Sequence, residues 1–192
     1  MLSETQKMQI TMLQDIFEIS ESCNTKTYVW GGLVIDILEG RFLREHGDID
    51  GFTLNLLDVK EESDAFFKRK GYTTEFTPGI DMYKITTGAC HAAFNRLEIE
   101  KDTAMWQHIG NEGTVYFPAN WLNNTPLSFY ESRAYISGPE FEYSIKARVN
   151  LLSPEWQLRD TDKATLDYFR KILEQRGLST DTVLHKVKSD NP

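Results

Sequence analysis

Asp48 and Asp50 stand two residues apart in His46-Gly47-Asp48-Ile49-Asp50, at the head of an alternating stretch, Asp48 to Leu57, whose apolar members include Ile49, Phe52 and Leu54. In a strand, residues two apart project to one face, so this spacing sets two carboxylates side by side. Paired hard oxygen ligands suit Mg²⁺, which takes one or two carboxylates from a protein and keeps the rest of its shell for water and substrate phosphates. Upstream, Gly31-Gly32 separates the β-prone run Thr27-Tyr28-Val29-Trp30 from an apolar run, Leu33 to Leu38. Backbone N–H groups at such a strand–turn–helix junction can receive phosphate oxygens. Either feature alone is commonplace, since Gly-Gly usually makes only a turn and Asp-x-Asp occurs on solvated strands. Their combination across a helix-length spacer, with Arg44 and His46 just ahead of the aspartates, is much more specific, and the chemistry it suits is magnesium-assisted handling of phosphate groups.

The elements that must position these residues follow from periodicity. Residues 4–20 carry Met8, Met12, Leu13, Ile16 and Phe17 on one helical stripe. After the Gly-Gly turn, the helix from Leu33 to Leu38 leads into a charged loop, Glu39 to Gly47. Residues 58–70 read as a helix closed by Gly71. Strands are expected at 72–76 and 81–87 across the turn Thr77-Pro78-Gly79, at 91–100, and last at 114–117, which Pro118 ends. From about Glu140 the chain reads as helices alone, 140–152 and 161–176, with Leu166, Phe169, Ile172 and Leu173 on one face of the second. The polar tail from Ser179 is read as a frayed end. The order implies an α+β fold: a mixed-sheet core over residues 1–135 and a helical C-terminal lobe over 136–192.

Bulk properties exclude several classes. The 192 residues suit one domain with at most a small annex. No apolar run reaches the length of a membrane span, and the N-terminus lacks the order of a signal peptide. Cys23 and Cys90 have neither metal spacing nor the number for a disulfide framework, which fits a reduced, cytoplasmic setting. The formal charge of −8 argues against a protein that grips long nucleic acid and is compatible with a cationic small substrate. His46, His91 and His108 show no zinc-site spacing.

The run Trp30-Gly31-Gly32 through Arg44-Glu45-His46-Gly47-Asp48-Ile49-Asp50, with Asp36, Gly40 and Arg41 between, resembles the signature of the aminoglycoside and lincosamide nucleotidyltransferases of the DNA polymerase β-like superfamily. The likeness is dense over about twenty residues. It continues in Leu97-Glu98-Ile99-Glu100, similar to a strand bearing a third carboxylate, in Val115-Tyr116-Phe117-Pro118-Ala119, and in Leu158 to Asp167, which is similar to a helix start near the C-terminus. Gly51-Phe52-Thr53-Leu54-Asn55 departs from the residues usual after the second aspartate.

The resemblance implies a nucleotidyltransferase core flanked by helices, with Asp48 and Asp50 as magnesium ligands. Glu98, or Glu100 on the same strand face, would be the base that takes a proton from an acceptor hydroxyl. Gly31, Gly32, Arg44 and His46 would face the nucleotide, His46 mainly bracing the turn, and Lys146 and Lys163 would reach the outer phosphates. Glu100, Tyr116 and Trp121, with Trp106 and Tyr130, are expected near the acceptor or the base, although core packing is the commoner fate of aromatic residues. The implied partners are a nucleoside triphosphate, ATP favoured, and a small hydroxyl-bearing acceptor such as an aminoglycoside or lincosamide, for a monomer or homodimer. Two other readings remain: a member that binds nucleotide without transfer, and a toxin-type transferase acting on tRNA or protein.

Overall fold

The computed structural model describes residues 1–107, 113–148, 157–180 and 185–187. Helix α1 (Glu4–Ser22) opens with a capping box, in which Ser3 and Gln6 each accept the other's backbone N–H. Then follow β1 (Thr27–Trp30), α2 (Leu33–Glu39), β2 (Asp48–Leu54), α3 (Leu56–Arg69), β3 (Thr73–Thr77), β4 (Met82–Thr87) and β5 (Cys90–Glu100). After them come β6 (Thr103–Gln107), β7 (Thr114–Pro118), a 3₁₀ turn (Ala119–Trp121), β8 (Leu127–Phe129) and β9 (Ser132–Ile136). Helices α4 (Pro139–Ala147) and α5 (Asp160–Gln175) precede a short β10 (His185–Val187). Among the described residues, no helix is long and apolar enough to cross a membrane.

The strands form one mixed sheet in the order β10-β7-β6-β5-β2-β1-β9-β8, with β4 and β3 branching from β5. Strand β5 is the axis of the assembly. Along one edge it pairs in parallel with β2, and along the other it pairs first with β4 and then with β6. Alternation along the strands makes two cores. Ile49, Ala92 and Phe94 join α1, α2 and α3 on one face, while Phe52, Leu97, Trp106, Val115 and Phe117 meet Phe141 and Ile145 of α4 on the other. By strand parity, Asp48 and Asp50 point to the face that α4 covers.

Four elements differ from the sequence reading. Strands β6, β8, β9 and β10 are additional, so Thr114–Pro118 is not the last strand and the C-terminal segment is not helical throughout. The turns before β6 and β9 carry Lys101 and Tyr130 in the left-handed region without the glycine that usually marks one. Strand β10, which pairs antiparallel with β7, is too short to show a period. The expected helix 140–152 is described as Pro139–Ala147, its last residues lying outside the described ones, as does His108.

Gly51 has a packing reason. Strand β2 is central, and a Cβ at Gly51 would stand 2.7 Å from Cδ1 of Phe94 and 3.2 Å from the carbonyl oxygen of Tyr28. Close approach of β2 to the Phe94 ring needs a residue with no side chain here. Gly51→Ala is expected to lower stability by about 1–3 kcal/mol, read as a lower urea midpoint. A midpoint within error of the parent protein would contradict this packing.

Candidate active site

The turn that carries Gly31 and Gly32 is built between three elements. Gly31 takes φ +84°, a conformation that glycine adopts without the Cβ penalty of other residues. A Cβ there would lie 3.4 Å from Oδ2 of Asp50, and one at Gly32 would run into Nη2 of Arg44 and come within 3.2 Å of Nδ1 of His46. Both glycines therefore pack against the residues around the aspartate pair. The Gly31 N–H donates to Oε1 of Glu142, on α4, at 2.9 Å.

The loop between α2 and β2 is fixed by a buried pair. His46 donates from Nε2 to Oδ2 of Asp36 at 2.7 Å, with the two side chains 3% and 2% exposed. The Leu43 N–H reaches the same carboxylate oxygen at 3.2 Å, and Gln9 of α1 donates to the His46 carbonyl at 3.1 Å. His46 thus braces the entry to β2 from below. Arg44 is exposed on that loop and donates from Nη1 to the Glu45 carbonyl at 2.9 Å.

Asp48 and Asp50 emerge side by side on β2. Asp48 is 55% exposed, and its Oδ2 lies 4.0 Å from Nε2 of His91, its register partner on β5. Asp50 is half-buried, and burial together with the Asp48 charge raises its pKa from 3.8 to about 6, against the pull of the Lys146 ammonium. Glu142 is fully buried. Its Oε1 accepts from Ser137 Oγ at 2.5 Å as well as from Gly31, while Oε2 has no hydrogen-bond partner among the described residues. Burial pushes Glu142 up to about 7, the Ser137 and Gly31 hydrogen bonds and Lys146 opposing the rise and Asp50 adding to it. Lys146, one helical turn after Glu142, bonds Oδ1 of Asp162 at 2.7 Å.

The donor set fits a divalent cation that arrives with its substrate. Among the described residues, no group of three or more His, Cys, Asp or Glu is arranged to hold a metal. Two adjacent carboxylates that repel each other, one of them short of solvent, are nevertheless the hard ligands that magnesium takes from a protein when phosphate oxygens complete its shell.

Several residues expected at the site stand elsewhere. Asp50 is opposite Ala93, and Leu54 opposite Leu97, so Glu98 lies five residues beyond the level of Asp50, roughly 16 Å at 3.3 Å per residue. Parity turns Glu98 and Glu100 to the other sheet face, and Glu98 is ion-paired with Arg96, which also holds Asp81 at 3.0 Å. The sequence alone carries no register between β2 and β5, and that register places neither glutamate beside the aspartate pair. Tyr116 alternates with the buried Val115 and Phe117, so it too faces away from the aspartates. Trp121 stacks on Phe117 at 6.4 Å, and Trp106 is 1% exposed among Trp30 and Phe52. Tyr130 stacks on Phe42 at 5.7 Å. Lys163 is 62% exposed and paired with Asp160. Glu142, Ser137 and Asp162 were not singled out as site residues, because nothing in a helical pattern distinguishes a buried glutamate from a solvated one until its neighbours are known.

Comparison with known proteins gives a family-model match over residues 12–134, to the model described as aminoglycoside-2''-adenylyltransferase. No curated protein sequence matches. Among solved structures, the chain is similar to the lincosamide antibiotic adenylyltransferase LnuA, lincomycin-bound, with TM-score 0.57, 17% identity and coverage of 82% of this chain and 93% of that one. It is similar to ANT(2'')-Ia in complex with adenylyl-2''-tobramycin, with TM-score 0.60, 14% identity and coverage of 88% and 99%. An antigenic nucleotidyltransferase-like protein from Paracoccidioides brasiliensis gives 0.52 at 11% identity, with coverage of 88% and 78%. At these identities the likeness establishes the fold.

The raised carboxyls have a consequence for stability. A carboxyl whose pKa rises on folding binds more protons in the native state than in the unfolded state, so its contribution to stability falls as pH climbs between the two values. For Asp50 the window runs from 3.8 to about 6. Asp50→Asn is therefore expected to stabilise the metal-free protein at pH 8 by roughly 1–2 kcal/mol and by less at pH 5, in urea titrations with chelator present. Equal or lower stability at pH 8 would contradict the strain assigned to Asp50.

Proposed function

The chain belongs to the aminoglycoside-2''-adenylyltransferase family, and on that footing we propose that it is a magnesium-dependent nucleotidyltransferase. It moves a nucleoside monophosphate, AMP from ATP in the favoured case, onto a hydroxyl of a small molecule such as an aminoglycoside or lincosamide, and releases pyrophosphate. The observation that carries the reading is the Asp48–Asp50 pair on β2, beside the Gly31-Gly32 turn and on the face covered by α4. The fold likeness to two antibiotic adenylyltransferases supports it. The division into a core over 1–135 and a C-terminal lobe over 136–192, with the nucleotide between them, and a cytoplasmic setting belong to the same proposal.

In this reading Asp48 and Asp50 hold Mg²⁺, which supplies charge neutralisation to the α-phosphate and the leaving pyrophosphate. The N–H groups of the Gly31-Gly32 turn and the start of α2 receive phosphate oxygens, and Arg44 lies over that turn to meet another. The acceptor oxygen forms its bond to the α-phosphorus as the bond to the bridging α–β oxygen breaks. The acceptor's proton goes to His91, the titratable side chain that β5 offers on this face, beside Asp48. A positioned base of this kind contributes typically 10²–10⁴-fold.

The second reading, binding without transfer, draws on one observation. Opposite Asp50, where a third carboxylate would complete the site that the resemblance implies, β5 presents Ala93.

Pyrophosphate release, measured with Mg²⁺, each of four nucleoside triphosphates and a panel of aminoglycosides, lincosamides and sugar-bearing metabolites, separates the two. The transferase reading predicts acceptor-dependent release, strongest with ATP and lowered on the order of a thousandfold in Asp48→Asn and in Asp50→Asn. It also predicts a loss of roughly a hundredfold in His91→Ala. Magnesium-dependent ATP binding with no release from any acceptor would favour the binding reading.

A further inference from the structure

The sheet continues past the aspartate pair on the side away from β1. On the face that carries Asp48 and Asp50, β5 presents His91, Ala93 and Asn95, and β4 presents Thr86, Lys84 and Met82 opposite them. Tyr83 and Ile85 are buried in the core beneath the sheet, so parity turns Lys84 to the same face as Asp50. The row Asp50, Ala93, Lys84 crosses three adjacent strands, which sets the lysine Cα roughly 10 Å from that of Asp50. Between them Ala93 contributes only a methyl group, and the floor is low there.

In-line displacement decides which ligand lies over this floor. The acceptor oxygen approaches the α-phosphorus from the side opposite the leaving pyrophosphate. The Gly31-Gly32 turn, which receives phosphate in the proposed function, follows β1, and β1 and β5 flank β2 on opposite sides. The acceptor therefore enters over Ala93, from the direction of β4.

The polar groups on the floor define its chemistry. Lys84 is half-buried and has no hydrogen bond or ion pair among the described residues. Glu75, its register partner on the edge strand β3, is exposed and not paired with it. Asn95 is 3% exposed, and its Nδ2 has no hydrogen-bond partner among the described residues. A buried donor is costly to leave unmade. Both idle groups are donors, and one is a cation.

We propose that this strip is the acceptor subsite and that Lys84 sets its specificity, for a hydroxyl-bearing compound with an oxyanion and against polyammonium compounds. The proposal rests on the nucleotidyltransferase reading and narrows its acceptor. A carboxylate or phosphate over Ala93 pairs with the Lys84 ammonium, whose flexible stem lets it follow the ligand. The Asn95 amide donates to a further ligand oxygen. The ammonium groups of an aminoglycoside meet a like charge instead, and repulsion of this kind is itself a source of specificity.

Amide NMR titrations of the full chain, with Mg²⁺ and a non-hydrolysable ATP analogue, test this. The probes are glucuronate, inositol monophosphate, their neutral counterparts methyl glucoside and inositol, and tobramycin. One of the two oxyanions is expected to shift the Ala93 and Asn95 signals and to bind roughly tenfold or more tightly than its neutral counterpart, which also separates carboxylate from phosphate. Lys84→Gln should lose that preference. Lys84→Glu should gain tobramycin affinity, whereas Lys68→Glu, an exposed position on α3, should not. Equal gains in the two variants would show a general charge effect and overturn the inference. Tobramycin bound more tightly than either oxyanion by the parent protein overturns it too, as does ATP binding with no response of Ala93 and Asn95 to either oxyanion. These results leave the transferase reading standing. A parent protein with no magnesium-dependent ATP affinity overturns that reading and the inference with it.

Discussion

The fold holds a carboxylate where its own electrostatics disfavour it. Asp50 is half-buried, next to Asp48 and within the influence of the fully buried Glu142, and its pKa rises to about 6. Crowding acids in this way costs stability in the empty protein, and the arrangement survives because each member is fixed by something else. Gly31 and Ser137 donate to Glu142, and the charge of Lys146, itself ion-paired with Asp162, opposes the rise at both Asp50 and Glu142. A ligand that brings positive charge to Asp50 relieves that cost on binding; under the proposed function that ligand is magnesium with its nucleotide.

Precision at the pair comes from outside it. The buried Asp36–His46 hydrogen bond ties the loop after α2 to the head of β2, and removing one partner so that the other stays buried and unsatisfied typically costs about 1–3 kcal/mol. Gly51 lets β2 approach the Phe94 ring, and Gly31 lets the turn approach both Asp50 and α4. Helix α4 closes the arrangement through Phe141 and Ile145 in the sheet core and through Glu142 at the turn.

The signature run was legible because its spacing is local. Gly-Gly ends one strand, Asp36 and His46 meet across a short helix and loop, and Asp48 and Asp50 share a strand face by parity alone. What lay beyond reach was relative position between distant strands. Leu97-Glu98-Ile99-Glu100 has the right pattern for a carboxylate-bearing strand, yet the β2–β5 register puts Ala93, not Glu98, beside Asp50. Tyr116 follows the same rule, since the face it takes depends on the pairing of β7 with β6. The hairpin of β8 and β9 escaped notice because Tyr130 supplies a left-handed turn without glycine or asparagine. Glu142 and Asp162 sit in helices whose polar residues mostly face water, and only the docking of α4 and α5 distinguishes them.

The central claim is that Asp50 is ionised against the preference of its surroundings and is relieved by a magnesium-bearing nucleotide. The direct measurement is the titration of its side-chain carboxyl carbon by NMR, with Asp50→Asn to assign the signal, in the free protein and with magnesium and a non-hydrolysable ATP analogue. The account predicts a midpoint near 6 in the free protein and one below the ordinary carboxylate value, about 4, in the complex. A midpoint near 4 in the free protein, or one that magnesium and nucleotide leave unmoved, would contradict it.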